Sequence, residues 1–273
     1  MKLCGHTMGT PKMDLRQAVE FMASLGCAAI EVRCAANGQL DPARFDAAQA
    51  AEALATARRA GIAFGCLTPY FKNFVDPAVR ERELAGLRAM LQIAARLECP
   101  LVRVYGGVPP APGGDAQAAW DGTARALREL AAEAAPLGVT LVIETHGGTL
   151  TPDAVTAARM AAQVDHPNLG ILFDYVWIHL AGTDTIGSAV ARCAKWIRHV
   201  HVKDCVVQEP EHRAVARLLG EGTIDLPALI AALRGIGYQG LLCDEYEKFW
   251  QPDLPDPETG MTHNAAYLRH ALA

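Results

Sequence analysis

Short apolar runs rich in β-branched residues alternate along this chain with longer Ala-, Leu-, Arg- and Glu-rich stretches whose apolar positions repeat at helical spacing. The runs predict strands over Lys2–Gly5, Ala28–Arg33, Ile62–Leu67, Leu101–Tyr105, Val139–Ile143, Leu169–Phe173, Ile197–Val202 and Gly240–Asp244. The stretches between them predict helices over Asp14–Leu25, Ala47–Ala60, Ala78–Leu97, Ala116–Ala135, Pro152–Val164, Ile186–Ala194 and Leu226–Arg234, with a last one near His263–Leu272. Gly or Pro stops several helices just before the next strand, as in Leu25-Gly26, Ala60-Gly61, Cys99-Pro100 and Leu137-Gly138.

Strands alternating with helices imply parallel pairing through right-handed crossovers. An eightfold alternation closes most simply as an α/β fold with a single (β/α)8 TIM barrel, one domain over residues 1–273. An open doubly wound sheet would place a glycine-rich turn after the first strand, and Gly5-His6-Thr7-Met8-Gly9 does not fit one. The GxGxxG of Gly235–Gly240 follows a helix and leads into a strand, the reverse of the dinucleotide-binding context, so it reads as a turn. The Pro- and Gly-containing stretches Val108–Gly114 and Gln251–Pro257 read as long loops within the same domain.

Composition narrows the partners. The chain is 51% hydrophobic and 20% charged, and its 25 Lys and Arg against 30 Asp and Glu leave a net charge of −5. Without clustered basic residues to displace counterions from phosphates, no nucleic-acid partner is expected. No stretch approaches the roughly 20 apolar residues of a membrane helix, and the N-terminal MKLCGHTMGTPK lacks a signal peptide's apolar run. A cytoplasmic protein with no membrane partner is therefore expected, with a homo-oligomer left open. Its eight cysteines are scattered without a CxxC pair and read as buried, reduced thiols.

In a barrel of this kind chemistry sits at the C-terminal ends of the strands. Polar residues at those ends are His6, Glu144, His146, Asp174, His199, His201, Lys203 and Glu245. Strand side chains alternate in direction, so His199, His201 and Lys203 share a face, with His201 nearer the mouth than His199. Glu144, Asp174, His201 and Glu245 thus converge from consecutive predicted strands. Three carboxylates and an imidazole about one point repel one another without a compensating cation, which predicts one divalent metal ion. The set lacks thiolates, which favours Mn²⁺, Mg²⁺ or Co²⁺ and leaves Zn²⁺ as an alternative. Taken singly, a carboxylate after a strand is more often a helix N-cap or a solvated loop residue.

The segments LVIETHGG (141–148), GILFDY (170–175), HVHVKD (199–204), GEGTIDLPAL (220–229) and GYQGLLCDEYE (237–247) resemble the xylose isomerase-like TIM barrels, and more narrowly the sugar phosphate isomerase/epimerase family. The likeness is dense from Leu137 to Glu247 and thin before it. It implies Glu144, Asp174, His201 and Glu245 as ligands of a single ion, manganese first, with Glu144 and Glu245 doubling as the acid/base pair. His199 then becomes a barrel-interior residue beneath the metal. Two positions depart from the ketose 3-epimerases of the family: Trp177 replaces a substrate-binding His, and Val207 a substrate-binding Arg.

The expected activity is isomerisation or epimerisation of a sugar or polyol by proton transfer next to a carbonyl, through an enediolate. His146 shares parity with Glu144 and precedes Gly147-Gly148, which lets that loop fold close over a substrate as a contact or auxiliary acid. His6, His179, Lys203, Trp177 and Glu221 are the further candidate substrate contacts, and Trp177 and Tyr70 could stack on a sugar ring. Three rivals stand beside this reading: a metal-dependent lyase or dehydratase acting on a keto-polyol or 3-keto-glycoside, an endonuclease, and a noncatalytic sugar-binding module.

Overall fold

Buried on both faces, the strands of a closed parallel sheet should read as nearly continuous apolar runs, and those of this chain do. The computed structural model describes residues 1–273. Its strands are β1 (Lys2–His6), β2 (Ala29–Cys34), β3 (Ala63–Pro69), β4 (Leu101–Tyr105), β5 (Thr140–Glu144), β6 (Leu169–Asp174), β7 (Ile197–Val202), β8 (Asp204–Gln208), β9 (Arg213–Arg217) and β10 (Leu241–Asp244). All but β8 and β9 pair in the circular order β1-β10-β7-β6-β5-β4-β3-β2, a closed (β/α)8 barrel. The expected strands all form, with ends within two residues of those predicted.

Helices α1 (Leu15–Ser24), α2 (Ala47–Ala60), α3 (Arg80–Arg96), α4 (Ala116–Ala134), α5 (Ala154–Val164), α6 (Tyr175–Ala181), α7 (Ile186–Cys193), α8 (Leu226–Gly235) and α9 (Pro257–Leu272) form the outer ring. Seven of their nine entries are set by side-chain caps, α3 and α9 being the exceptions. Asp14, Asp46 and Asp153 each close a capping box, and Asp115, Asp174, Thr185 and Asp225 each accept a first-turn N–H. Apolar side chains from both layers merge into one core of 69 residues. No helix is long and apolar enough to cross a membrane. The eight cysteines are buried and unpaired, and burial pushes the thiols of Cys27, Cys34, Cys66, Cys99, Cys193, Cys205 and Cys243 up, away from the reactive thiolate.

Three features depart from the sequence-based expectation. Helix α6 follows β6 without a linker, and α9 begins at Pro257, a turn and a half before the expected start. After β7 the chain forms the antiparallel hairpin β8–β9 before reaching α8. The GxGxxG segment is the expected turn, with Gly237 in the left-handed region at φ 73° between α8 and β10.

Asp204 anchors the hairpin. Its Oδ1 accepts from the N–H of Cys205 (2.9 Å) and Ile224 (3.1 Å), and its Oδ2 from Gly220 (3.0 Å) and Gly222 (2.9 Å). A Cβ on Gly222 would collide with that carboxylate, so only glycine allows the loop to close this tightly. Asp204→Ala would leave several buried donors unpaired. We expect it to cost about 3 kcal/mol in equilibrium denaturation, with the barrel's circular dichroism retained.

Candidate functional site

At the C-terminal mouth, four side chains from four neighbouring strands meet. Glu144 ends β5, Asp174 ends β6, His201 lies on β7 and Glu245 follows β10. One donor atom from each can be chosen so that all lie within 4.8 Å of one another. None of the four is more than 6% exposed. The sheet ladder explains the meeting, since Asp174 pairs with His201 across β6–β7 and Cys243, two residues before Glu245, pairs with the same His201 across β10–β7.

Two permanent cations sit among these carboxylates. Arg103, projecting from β4, donates through Nη1 to Glu144 Oε2 (2.6 Å) and through Nη2 to the Pro69 carbonyl (2.6 Å). Lys203 Nζ lies 2.7 Å from Asp174 Oδ2, 2.8 Å from Glu245 Oε2 and 3.2 Å from Glu247 Oε1. Burial raises the Glu144 carboxyl, but the Arg103 guanidinium beside it outweighs this and holds Glu144 at about 2. For Glu245, burial is likewise overcome by His201 and Lys203, which hold it well below the usual carboxylate range. Asp174 is different: burial prevails over Lys203 and pushes its carboxyl up to about 7.

These groups fit a metal ion. Asp174 Oδ2, His201 Nδ1 and Glu245 Oε2 are buried, and although close to Lys203 or to one another, none makes a hydrogen bond of acceptable direction. Counting Glu31 and Glu247, five carboxylates share the site with two permanent cations. The excess of negative charge, the unsatisfied buried donor atoms and the mixed oxygen and imidazole set suit a divalent cation.

Above the cluster lies a cavity of about 350 Å³, lined by Tyr70, Tyr105, His146, Trp177 and Trp250 over a floor that includes Glu144 and Glu245. His6, His146, Lys203 and Trp177 reach it as expected. His146 donates from Nδ1 to the Gly147 carbonyl (2.6 Å), which leaves Nε2 as the acceptor nitrogen of the neutral ring. Burial pushes its pKa below the ordinary imidazole value. Its ring lies 4.3 Å from that of Trp177. A Cβ on Gly147 would come within 2.5 Å of the same indole, so the loop approaches because this residue is glycine. His6 is pinned in the opposite tautomer, accepting at Nδ1 from the Met8 N–H (2.9 Å) and donating from Nε2 to Thr68 Oγ1 (3.0 Å). Burial lowers it to about 4.

Two expected contacts lie elsewhere. His179 sits on α6 with its ring centroid 6.1 Å from that of Tyr175 and does not line the cavity. Glu221 is exposed along a separate groove beside Arg217 and Leu218, because the loop that carries it is tied back to Asp204. Conversely, Glu31, Arg103 and Glu247 belong to the site and were not singled out from sequence. Glu31 and Arg103 were visible as charges inside the mostly apolar strands AIEVRC, which also carries Arg33, and LVRVY.

A family model described as xylose isomerase-like TIM barrel matches residues 19–271. Among curated proteins, the chain is 30% identical over 153 residues to the rhizopine catabolism protein MocC of Rhizobium meliloti, covering 51% of this chain and 46% of that one. It is 29% identical over 165 residues to 2-oxo-tetronate isomerase of Pectobacterium atrosepticum, covering 57% and 58%. The chain thus spans about half the length of these relatives. Among solved structures, a probable 3-DHS dehydratase from Bacillus anthracis superposes with a TM-score of 0.81 at 18% identity, covering 98% of this chain and 99% of that one. Its similar proteins include isomerases, epimerases and dehydratases. With the barrel closed and the four-residue cluster at its mouth, the chain belongs to the xylose isomerase-like TIM barrel family.

Proposed function

We propose that this chain, acting as one domain over residues 1–273, is a divalent-metal-dependent isomerase or epimerase of a sugar or keto-polyol that moves a proton next to a carbonyl through an enediolate. The observation that carries the reading is the pair Glu144 and Glu245, both on the cavity floor and approaching His201 Nδ1 from different strands, at 3.4 and 2.9 Å. Glu144, Asp174, His201 and Glu245 would hold the ion, Mn²⁺ first by the hardness of the set. Bound there, it would polarise the substrate carbonyl and offset charge developing on its oxygen.

The chain's own residues supply the rest. Arg103 keeps Glu144 ionised and Lys203 does the same for Glu245, so either carboxylate can accept the α-proton. Return of that proton to the neighbouring carbon interconverts aldose and ketose; inversion instead requires the opposite carboxylate, having taken a proton from solvent, to protonate the other face while the first keeps the abstracted one. Trp177, Tyr70 and Trp250 offer apolar surface to a sugar ring and exclude water. His146 Nε2 accepts from a substrate hydroxyl. A dehydratase reading gains support from Lys203, whose ammonium at the floor can hydrogen-bond a departing hydroxyl and offset the charge that develops on it.

Incubation of Mn²⁺-loaded protein in D₂O with ketoses, inososes and keto-glycosides, followed by NMR, should place solvent deuterium at an α-carbon. A new enone absorbance would instead mark the dehydratase. Glu144→Gln and Glu245→Gln should each lower turnover by about 10²- to 10⁴-fold. Unaltered turnover in both would sink the acid/base assignment. Metal at about 100 times its Kd should stabilise the protein by about 2.7 kcal/mol. Chelation would therefore lower Tm by about 5–10 °C in a thermal melt. Arg103→Met leaves Glu144 buried without its cation and should cost about 3–5 kcal/mol by denaturant unfolding.

A further inference from the structure

One carboxylate deep in the barrel receives three imidazoles. Glu31, on β2 and fully buried, lies with Oε2 2.5 Å from His199 Nε2 and with Oε1 2.9 Å from His201 Nε2 and 3.5 Å from His6 Nε2. His6 has its own acceptor in Thr68, so His199 and His201 are the principal donors. Two strands, β1 and β10, separate β2 from β7 around the barrel, so these contacts cross its interior. Both ends of the crossing coincide with a slip in the ladder. Between Ile30 and Glu31 the pairing of β2 with β3 shifts by one residue, and between Ile171 and Leu172 the pairing of β6 with β7 shifts so that Leu172 faces His199. Slips of this kind re-aim side chains beside active sites.

A carboxylate only accepts hydrogen bonds, so the proton of a neutral His201 resides on Nε2. Nδ1 then presents a lone pair 2.9 Å from Glu245 Oε2 and 3.4 Å from Glu144 Oε1, with no hydrogen bond of its own. Acceptors facing acceptors in a buried site repel unless a cation lies among them. We propose that Glu31 is a positioning residue for the metal centre: by accepting from His201 Nε2 it selects Nδ1 as the ligating nitrogen and holds the ring in the plane that the other three ligands require. His199, on the other oxygen, holds the Glu31 carboxylate against rotation. The inference rests on the metal-site reading above and extends it inward to a strand that supplies no ligand.

Co²⁺ titration of the full chain, followed by calorimetry and visible absorption, tests it. The wild type should bind one equivalent; no binding would overturn both the metal reading and this inference. Glu31→Gln has one acceptor oxygen where two imidazoles need one each. It should weaken Co²⁺ binding about 10- to 100-fold and shift the Co²⁺ absorption bands. A variant that only lowers the Tm of the metal-free protein, with Co²⁺ affinity and spectrum unchanged, would show Glu31 to be structural and overturn the proposal. Long-range ¹H–¹⁵N correlations on wild-type protein loaded with Zn²⁺ decide the matter even if the variant fails to fold. His201 should appear with its proton on Nε2 and the metal on Nδ1, and the opposite tautomer overturns the assignment.

Discussion

Glu31, Glu144, Asp174 and Glu245 are each 6% exposed or less, and desolvating an unpaired carboxylate costs several kcal/mol even after the protein relaxes. A barrel carrying four of them across its interior and mouth folds only because each has a charged or imidazole partner within reach. Arg103 serves Glu144, Lys203 serves Asp174 and Glu245, and His199 and His201 serve Glu31. His201 lies between the two groups, one nitrogen toward each. The arrangement is two polar layers sharing one ring, with Cys66, Val142 and Leu172 forming a small apolar cluster of their own within the barrel.

That sharing limits what substitution can do. Removing any one partner leaves its neighbour buried and uncompensated, so mutational effects in the cluster should be strongly non-additive. It also separates fold from chemistry. The apolar core would close a barrel around many different mouths, and the same barrel carries isomerases, epimerases and dehydratases among similar proteins. The reaction must therefore be argued from the cavity floor and the groups that line it.

Most of this architecture was legible in the sequence because periodicity and strand-end polarity report on it directly. Glu144, Asp174, His201 and Glu245 each follow or occupy an apolar strand at its C-terminal end, and those positions on consecutive strands of the barrel brought them to one place. What escaped did so for physical reasons. Glu31 and Arg103 lie within strands, where a charge is unexpected unless its partner, 170 residues away for the Glu31–His201 contact, is already known. Helix α6 reads YVWIHLA, apolar nearly throughout and joined to β6 without a turn residue, so no break marks where the strand stops. The β8–β9 hairpin has half-exposed strands on the barrel's rim, and its position is set by Asp204 and the Gly220–Ile224 loop rather than by its own pattern.

The absence of a turn before α6 has a further consequence at the site. Asp174 is both the last residue of β6 and the N-cap of α6: Oδ1 accepts from the Val176 N–H at 3.0 Å, while Oδ2 faces Lys203 and the ligand cluster. The two readings of this residue available from sequence, helix cap and metal ligand, are therefore compatible, one on each oxygen. The cap fixes the carboxylate's rotation, and the backbone amide of Asp174 is itself held by Thr145 Oγ1 at 2.8 Å, next to Glu144. Because α6 starts at the ligand, Trp177 follows three residues later on the first turn and forms a wall of the cavity. A linker inserted between β6 and α6 would free the carboxylate and displace that wall together, so the missing turn is itself a positioning device.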